Sequence, residues 1–223
     1  MALIPSCWAI LNPRFNFLKD SMHRFLLTAA AAVVLGSSLS ACVPLMVGGA
    51  AVGGAFMATD RRTSGAQLED EGIELRANNR IGQSMGESAH VNVTSYNRQV
   101  LLTGEVPTAA DQQKLQDLVL KVENVRSVVN EVAVLGPSSL SQRSSDTLVT
   151  GKVKATLVDA KDVQSNVLKV ITERGTVYLM GRVSMREANR ATELARSVSG
   201  VQRVVRVFDI LSDEELKSLS NVK

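Results

Sequence analysis

Cysteine and histidine are nearly missing from this chain: two of each in 223 residues, with aromatics at 4% and a single tryptophan. If Cys7 is removed with a leader and Cys42 is modified, no disulfide and no cysteine-based metal site remains. His90 is the one histidine after Cys42. With no partner pattern around it, it reads as a surface residue and not as a catalytic or metal-binding one. There is no Gly-x-Ser-x-Gly elbow and no phosphate loop. No enzyme activity, metal or cofactor is therefore expected. Long apolar runs are lacking too. Phe25 to Leu35 is about half a bilayer span, and nothing later approaches the ~18 unbroken apolar residues of a membrane helix. An excess of one charge is also absent. The 25 Lys+Arg and 22 Asp+Glu give a net +3. Arg14, Lys19, Arg24 and Asp20 all precede Cys42, so 22 and 21 remain from there on, a net of +1. Nothing in that balance asks for nucleic acid.

What is present begins with an address. Arg24, the apolar run Phe25 to Leu35, Gly36-Ser37-Ser38 and then Leu39-Ser40-Ala41-Cys42 follow the order of a cleavable secretory signal. Leu39-Ser40-Ala41-Cys42 resembles the bacterial lipobox, which implies lipidation (palmitate included) at Cys42. Residues 1–41 are then a signal peptide. Met22-His23-Arg24 makes a normal short n-region, so translation is expected to start at Met22, with residues 1–21 carrying no structure or function. The segment from Val47 to Phe56 is small, apolar and glycine-paired. It reads either as a piece lying against headgroups or, given so many glycines, as a flexible linker. Asp60 to Gln67 is polar and expected to be irregular.

The strongest internal signal is a repeat. Val91 to Val106 lines up with Leu168 to Val183: alternation, a polar turn, alternation again, then Gly104 and Val106 or Gly181 and Val183. Each is a β-hairpin pattern, with Val91, Val93, Val100 and Leu102 on one face and Leu168, Val170, Val177 and Leu179 on the equivalent one. Asn97-Arg98 and Arg174-Gly175 mark the turns. Gly104 and Gly181 suit a backbone that bends or is closely approached. A helix follows each hairpin. Thr108 and Asp111 cap the first, over a stripe of Leu115, Leu118, Val119 and Val122 that stops at Asn124. Ser184 and Glu187 form a capping box for the second, over Ala188, Ala191, Leu194, Ala195 and Val198, with Gly200 as the stop. Each copy ends in a strand, Val125 to Leu135 and Val201 to Ile210. Before each hairpin lies another helix, with Ile73, Ala77 and Ile81 or Val149, Val153 and Leu157 as its inner stripe. The acidic group Glu69-Asp70-Glu71 with Glu74 is expected to complement helix-start amides.

Each copy thus reads helix, strand, strand, helix, strand: an α+β unit with a small three-stranded mixed sheet packed on two helices. This order, with Leu102-Thr103-Gly104-Glu105-Val106 and Leu179-Met180-Gly181-Arg182-Val183 at its centres, resembles the BON domain. The organisation expected is a lipidated cysteine and Gly-rich linker at 42–67, BON domains at 68–136 and 145–211, a linker at 137–144 and a tail at 212–223. A lipobox, a glycine-rich spacer and two BON domains together resemble the dual-BON outer-membrane lipoproteins.

Charge divides unevenly between the copies. Glu71 to Gly136 holds 6 basic and 8 acidic residues, and Asp146 to Ile210 holds 11 and 7. A cationic module on a tether is drawn to anionic headgroups, although Arg186, Arg190 and Arg196 also lie near Glu187 and Glu193. Leu148 points about 100° away from Val149, with Lys152 and Ala155 on its side of the helix. An exposed leucine beside lysine is the pattern of a protein that dips into an interface. The resemblance implies that the helix opening the second domain binds anionic phospholipid, phosphatidylglycerol or cardiolipin, through Leu148, Val149, Lys152, Lys154 and Ala155. It also implies a bulky aromatic where this chain has Leu148, hence weaker insertion. Val43 after Cys42 implies sorting to the outer membrane, on its periplasmic face, in support of envelope integrity. The alternative is a periplasmic adaptor whose edge strands, Val125 to Leu135 or Val201 to Phe208, dock on outer-membrane assembly proteins or on cell-wall and division machinery.

Overall fold

The structure, a computed structural model, describes residues 60–86 and 90–220. Cys42, the signal segment, residues 1–21 and the glycine-rich stretch lie outside the described residues. The first copy consists of α1 (Ser64–Met85), β1 (His90–Tyr96), β2 (Gln99–Val106), α2 (Ala109–Leu120), β3 (Ser127–Asn130) and β4 (Ala133–Val134). The second consists of α3 (Leu140–Asp159), β5 (Leu168–Glu173), β6 (Thr176–Val183), α4 (Met185–Arg196) and β7 (Arg203–Ile210), and α5 (Asp213–Ser220) follows. Each sheet is mixed. A hairpin supplies an antiparallel pair, and the last strand lies parallel to the central one, in the orders β1-β2-β3 and β5-β6-β7.

Local chemistry explains these elements. Asn97 and Arg98 both have positive φ, as do Arg174 and Gly175, which is what two-residue type I′ hairpin turns require. Thr108 caps α2 by accepting the Asp111 amide, and Ser184 and Glu187 complete the capping box of α4. Ile73, Ala77, Ile81, Leu115 and Val119 fill the first core with Val93, Val100 and Leu102. Val149, Val153, Leu157, Ala191 and Ala195 fill the second with Val170, Val177 and Leu179. A methyl group at Gly104, whose φ is +112°, would sit 2.1 Å from the His90 carbonyl oxygen, so the strand crosses too closely for any side chain.

Three boundaries depart from the sequence reading. Only residues 60–63 of the polar stretch are irregular, because the Thr63 hydroxyl accepts the Ala66 amide and starts α1 at Ser64. Likewise α3 begins at Leu140, inside the segment read as linker, because Ser139 accepts the Gln142 amide. The last strand of the first copy breaks into β3 and β4. There the Asn130 side chain takes over the Val132 amide and donates to the Gln112 carbonyl, while Val132 turns into the core.

The sheet faces away from the helices pack on each other. Tyr96, Leu101, Tyr178, Met180 and Val207 are buried between them, with Val129, Ile171 and Val205 at the margin. Ion pairs close the seam: Arg203–Glu131 at 2.6 Å, Arg174–Glu105 at 2.8 Å and Lys169–Glu74 at 3.0 Å. Equivalent strands face their counterparts, so the two copies pack much as the subunits of an isologous dimer do.

Candidate functional site

The inner stripe of α3 holds that helix firmly. Its Asp146 carboxylate accepts both amides of the second hairpin turn, from Arg174 and Gly175, at 2.8 Å each. The Thr150 hydroxyl donates to that of Thr172 at 2.7 Å. A rigid inner face leaves the opposite face as a fixed surface. On it Leu148 is 67% exposed, Leu140 81% and Val158 67%, with Ala155 exposed between them. Lys152 and Lys154 are exposed as well. At 100° per residue Ala155 lies within about 20° of Leu148, Lys152 about 40° to one side and Lys154 about 120° to the other. Four of the five residues singled out from the sequence thus lie on the outer surface of one helix. Val149 does not. It is 5% exposed and packed in the second core, and its methyl group would stand 2.8 Å from a Cβ at Gly200. Its part is to hold the helix, since the 3.6-residue period turns it away from Leu148.

The first copy supplies an internal comparison. Asp70 and Ile73 of α1 correspond to Asp146 and Val149 of α3, so Gly72 stands opposite Leu148, Asn78 opposite Lys154, Asn79 opposite Ala155 and Gly82 opposite Val158. Lys152 corresponds to Arg76, whose guanidinium is held by Glu69 at 2.6 Å. Leu68 and Leu75 are exposed on α1, but with Glu71 and two asparagines around them. Among the described residues, apolar exposure flanked by lysines with no ion-pair partner belongs to α3.

The acidic group of α1 does not serve helix amides. Asp70 is 2% exposed and accepts from the Ser95 hydroxyl (2.7 Å), the Asn97 and Arg98 amides (2.7 and 2.8 Å) and the Arg62 guanidinium (2.8 Å). Glu74 accepts the Ser95 amide and Lys169. These carboxylates fasten the hairpin to the helix. A signal for them was available: in both copies an aspartate stands three residues before the inner stripe.

His90 is half-buried, its Nδ1 3.1 Å from the Glu105 carboxylate. Burial works to raise the Glu105 carboxyl, but Arg174, the Ser138 amide and His90 outweigh it and hold it below the ordinary range. The trio joins the two copies. Among the described residues no cluster of His, Cys, Asp and Glu could hold a metal ion. No helix among them is long and apolar enough to cross a membrane.

Asp60 to Thr63 span both copies. Arg61 donates to both oxygens of Glu187 at 2.8 Å, to the Arg182 carbonyl and to Gln164. Burial works to raise the Glu187 carboxyl, yet Arg61 and Ser184 bring it down to about 2. Arg62 bonds Asp60 and Asp70 and lies 4.0 Å over the Tyr96 ring. Burial, and next the Asp60 charge, push the Tyr96 hydroxyl up to about 12. Charge alternation in a short polar segment did not reveal this role.

Comparison with known proteins agrees with the architecture. The BON domain family model matches residues 69–136 and 145–212. The chain is 38% identical over 184 residues to the outer membrane lipoprotein DolP of Haemophilus influenzae, covering 81% of this chain and 95% of that one. It is 34% identical over 152 residues to a 21 kDa hemolysin of Actinobacillus pleuropneumoniae, covering 67% and 78%. To the osmotically-inducible protein Y of Escherichia coli it is 31% identical over 121 residues, covering 53% and 60%. Two matched modules, each with the same element order and the same buried aspartate beneath its hairpin turn, mean that this chain belongs to the BON-domain family.

Proposed function

We propose that the chain is a non-enzymatic lipoprotein of the outer membrane, facing the periplasm, whose second BON domain binds anionic phospholipid and thereby supports envelope integrity. The observation that carries this reading is the outer face of α3, where Leu140, Leu148 and Val158 are exposed near Lys152 and Lys154. Apolar side chains gain by leaving water for the acyl boundary, and each lysine near an anionic surface adds about 1 kcal/mol. The lipid anchor holds the chain at the bilayer, and the α3 face adds a second contact that depends on headgroup charge. The anchor is Cys42 in its lipobox. The similarity to a protein named as an outer membrane lipoprotein supports the location.

The test uses the chain from residue 43 onward, without lipid, mixed with vesicles of phosphatidylcholine containing phosphatidylglycerol or cardiolipin. Binding to the anionic vesicles that weakens with Leu148→Asp is expected. Equal behaviour on neutral and anionic vesicles, or indifference to Leu148→Asp, overturns the reading. Mass spectrometry of the native product tests the anchor: an unmodified thiol at Cys42 would remove it. A second reading, a protein adaptor, draws on β7. Among the described residues this eight-residue strand pairs only with β6 and is unbroken, unlike its counterpart β3-β4. A stoichiometric envelope protein recovered by crosslinking through β7 would favour it.

A further inference from the structure

A second feature of the second copy has no counterpart in the first. Where α4 overhangs β7, Asn189, Thr192, Glu193, Arg196 and Arg206 line an open cleft. The Arg206 guanidinium donates to Asn189 Oδ1 at 3.1 Å, and the Thr192 hydroxyl is spent on the Ala188 carbonyl. Glu193 stands at the rim, its carboxylate exposed and 3.7 Å from Arg190. Among the described residues neither Arg196 nor Arg206 has an ion-pair partner. Two guanidinium groups thus share one cleft with their charge unbalanced.

The fold does not require them there. Leu102 and Leu179 are equivalent positions, and their parallel partners are Asn130 and Arg206. In the first copy Asn130 donates to the Gln112 carbonyl and to Gln116 Oε1, closing the same place with neutral amides. What the second copy has instead is suited to an oxyanion, because guanidinium forks match phosphate oxygens in pairs. No aromatic or apolar side chain lines the cleft to receive a base or an acyl chain. The Glu193 carboxylate at the rim disfavours a dianion, so a singly charged phosphodiester fits better than a phosphomonoester. Both α3 and α4 cover one face of the second sheet. The cleft therefore belongs to the helix layer that carries Leu148, and Arg190 next to Glu193 is itself paired with Asp162 at 2.9 Å.

We propose that Arg196 and Arg206, with Asn189, bind the phosphodiester of an anionic phospholipid headgroup, a second lipid contact beside the α3 face. This rests on the lipid-binding reading above. The test is NMR of the full lipidated protein in nanodiscs of phosphatidylcholine with increasing phosphatidylglycerol, following arginine side-chain N–H signals and α3 amides. Arg196 and Arg206 should shift with a saturating dependence on phosphatidylglycerol. In co-flotation of the unlipidated chain with phosphatidylglycerol vesicles, replacing both by glutamine should weaken binding roughly 30-fold, given ~1 kcal/mol per cation. Arg206→Lys, which keeps the charge and removes the fork, should still weaken it several-fold. Shifts in α3 without shifts at Arg196 and Arg206, or an Arg206→Lys protein that binds as the parent does, overturn the cleft and leave the lipid-binding reading standing. No shift in either place overturns both. Equal saturation by inorganic phosphate in pure phosphatidylcholine discs would make the cleft a free-phosphate site and overturn its assignment to lipid.

Discussion

Replacing Leu148 by aspartate separates membrane contact from folding, because the side chain is two-thirds exposed and touches no core. Full burial of a leucine side chain is worth about 1.5–3 kcal/mol, so moving the exposed two-thirds out of water contributes about 1–2 kcal/mol to insertion. Aspartate forfeits that and adds a charge of the wrong sign near anionic headgroups, for about 1 kcal/mol more. The sum, about 2–3 kcal/mol, corresponds to a partition coefficient lowered roughly 30- to 150-fold. The same change should alter unfolding free energy by no more than about 0.5 kcal/mol, as for an exposed position without partners. Co-flotation with phosphatidylglycerol vesicles measures the first quantity, and urea unfolding followed by circular dichroism the second. Leu148→Trp should strengthen partitioning in the same assay. A fall of less than threefold for Leu148→Asp, with the urea midpoint unchanged, would refute the assignment of this face.

Asp70→Ala leaves two turn amides and the Ser95 hydroxyl without their acceptor and takes one of two carboxylates from Arg62, and should cost about 3–4 kcal/mol in urea unfolding. Asp146→Ala, which strands two amides, should cost about 2 kcal/mol; equal costs would contradict the bond inventory. Gly104→Ala should destabilise by about 3 kcal/mol or more, from its positive φ and the His90 carbonyl, and more than Gly181→Ala, whose Cβ would stand 2.7 Å from the Val167 carbonyl. The Glu187 carboxyl is lowered on folding from 4.5 to about 2, so its contribution is fully present above about pH 4.5 and is lost as pH falls from there toward 2. Arg61→Ala should flatten that acid limb in a series of urea midpoints against pH, and an unchanged slope would mean that the pair does not couple to folding.

Much of the fold was legible because its signals are local. A hairpin turn needs residues that tolerate positive φ, and Asn97-Arg98 and Arg174-Gly175 stand where alternation changes direction. Inner stripes recur every three or four residues, and Ser184 with Glu187 announces a helix start. What escaped depends on residues far apart in the chain. Asp70 and Asp146 acquire meaning only once a hairpin turn lies over the helix. The apolar layer between the two sheets was foreshadowed by Val100-Leu101-Leu102 and by Val177 to Met180, consecutive apolar residues that a strand wet on one face would not carry. A break at Glu131 follows from one asparagine competing with the ladder, which no period records. For the candidate site, periodicity found Leu148, Lys152 and Ala155, while Val149 belonged to the face that the same periodicity assigns to the core.

Duplication makes the difference between the copies informative. Both need an inner stripe, a carboxylate beneath the turn and a close-packed glycine, and both have them. Positions under the same structural demand but with different chemistry are then free of that demand. Gly72 against Leu148, Asn78 against Lys154, Asn130 against Arg206 are such positions, and all three change toward apolar or cationic surface in the second copy. In the first copy Arg76 is spent on Glu69, and Arg62 holds Asp60 beside Asp70 and Tyr96. The first copy thus secures the segment from Asp60 to Thr63, and Arg61 fastens the same segment to Glu187 of the second.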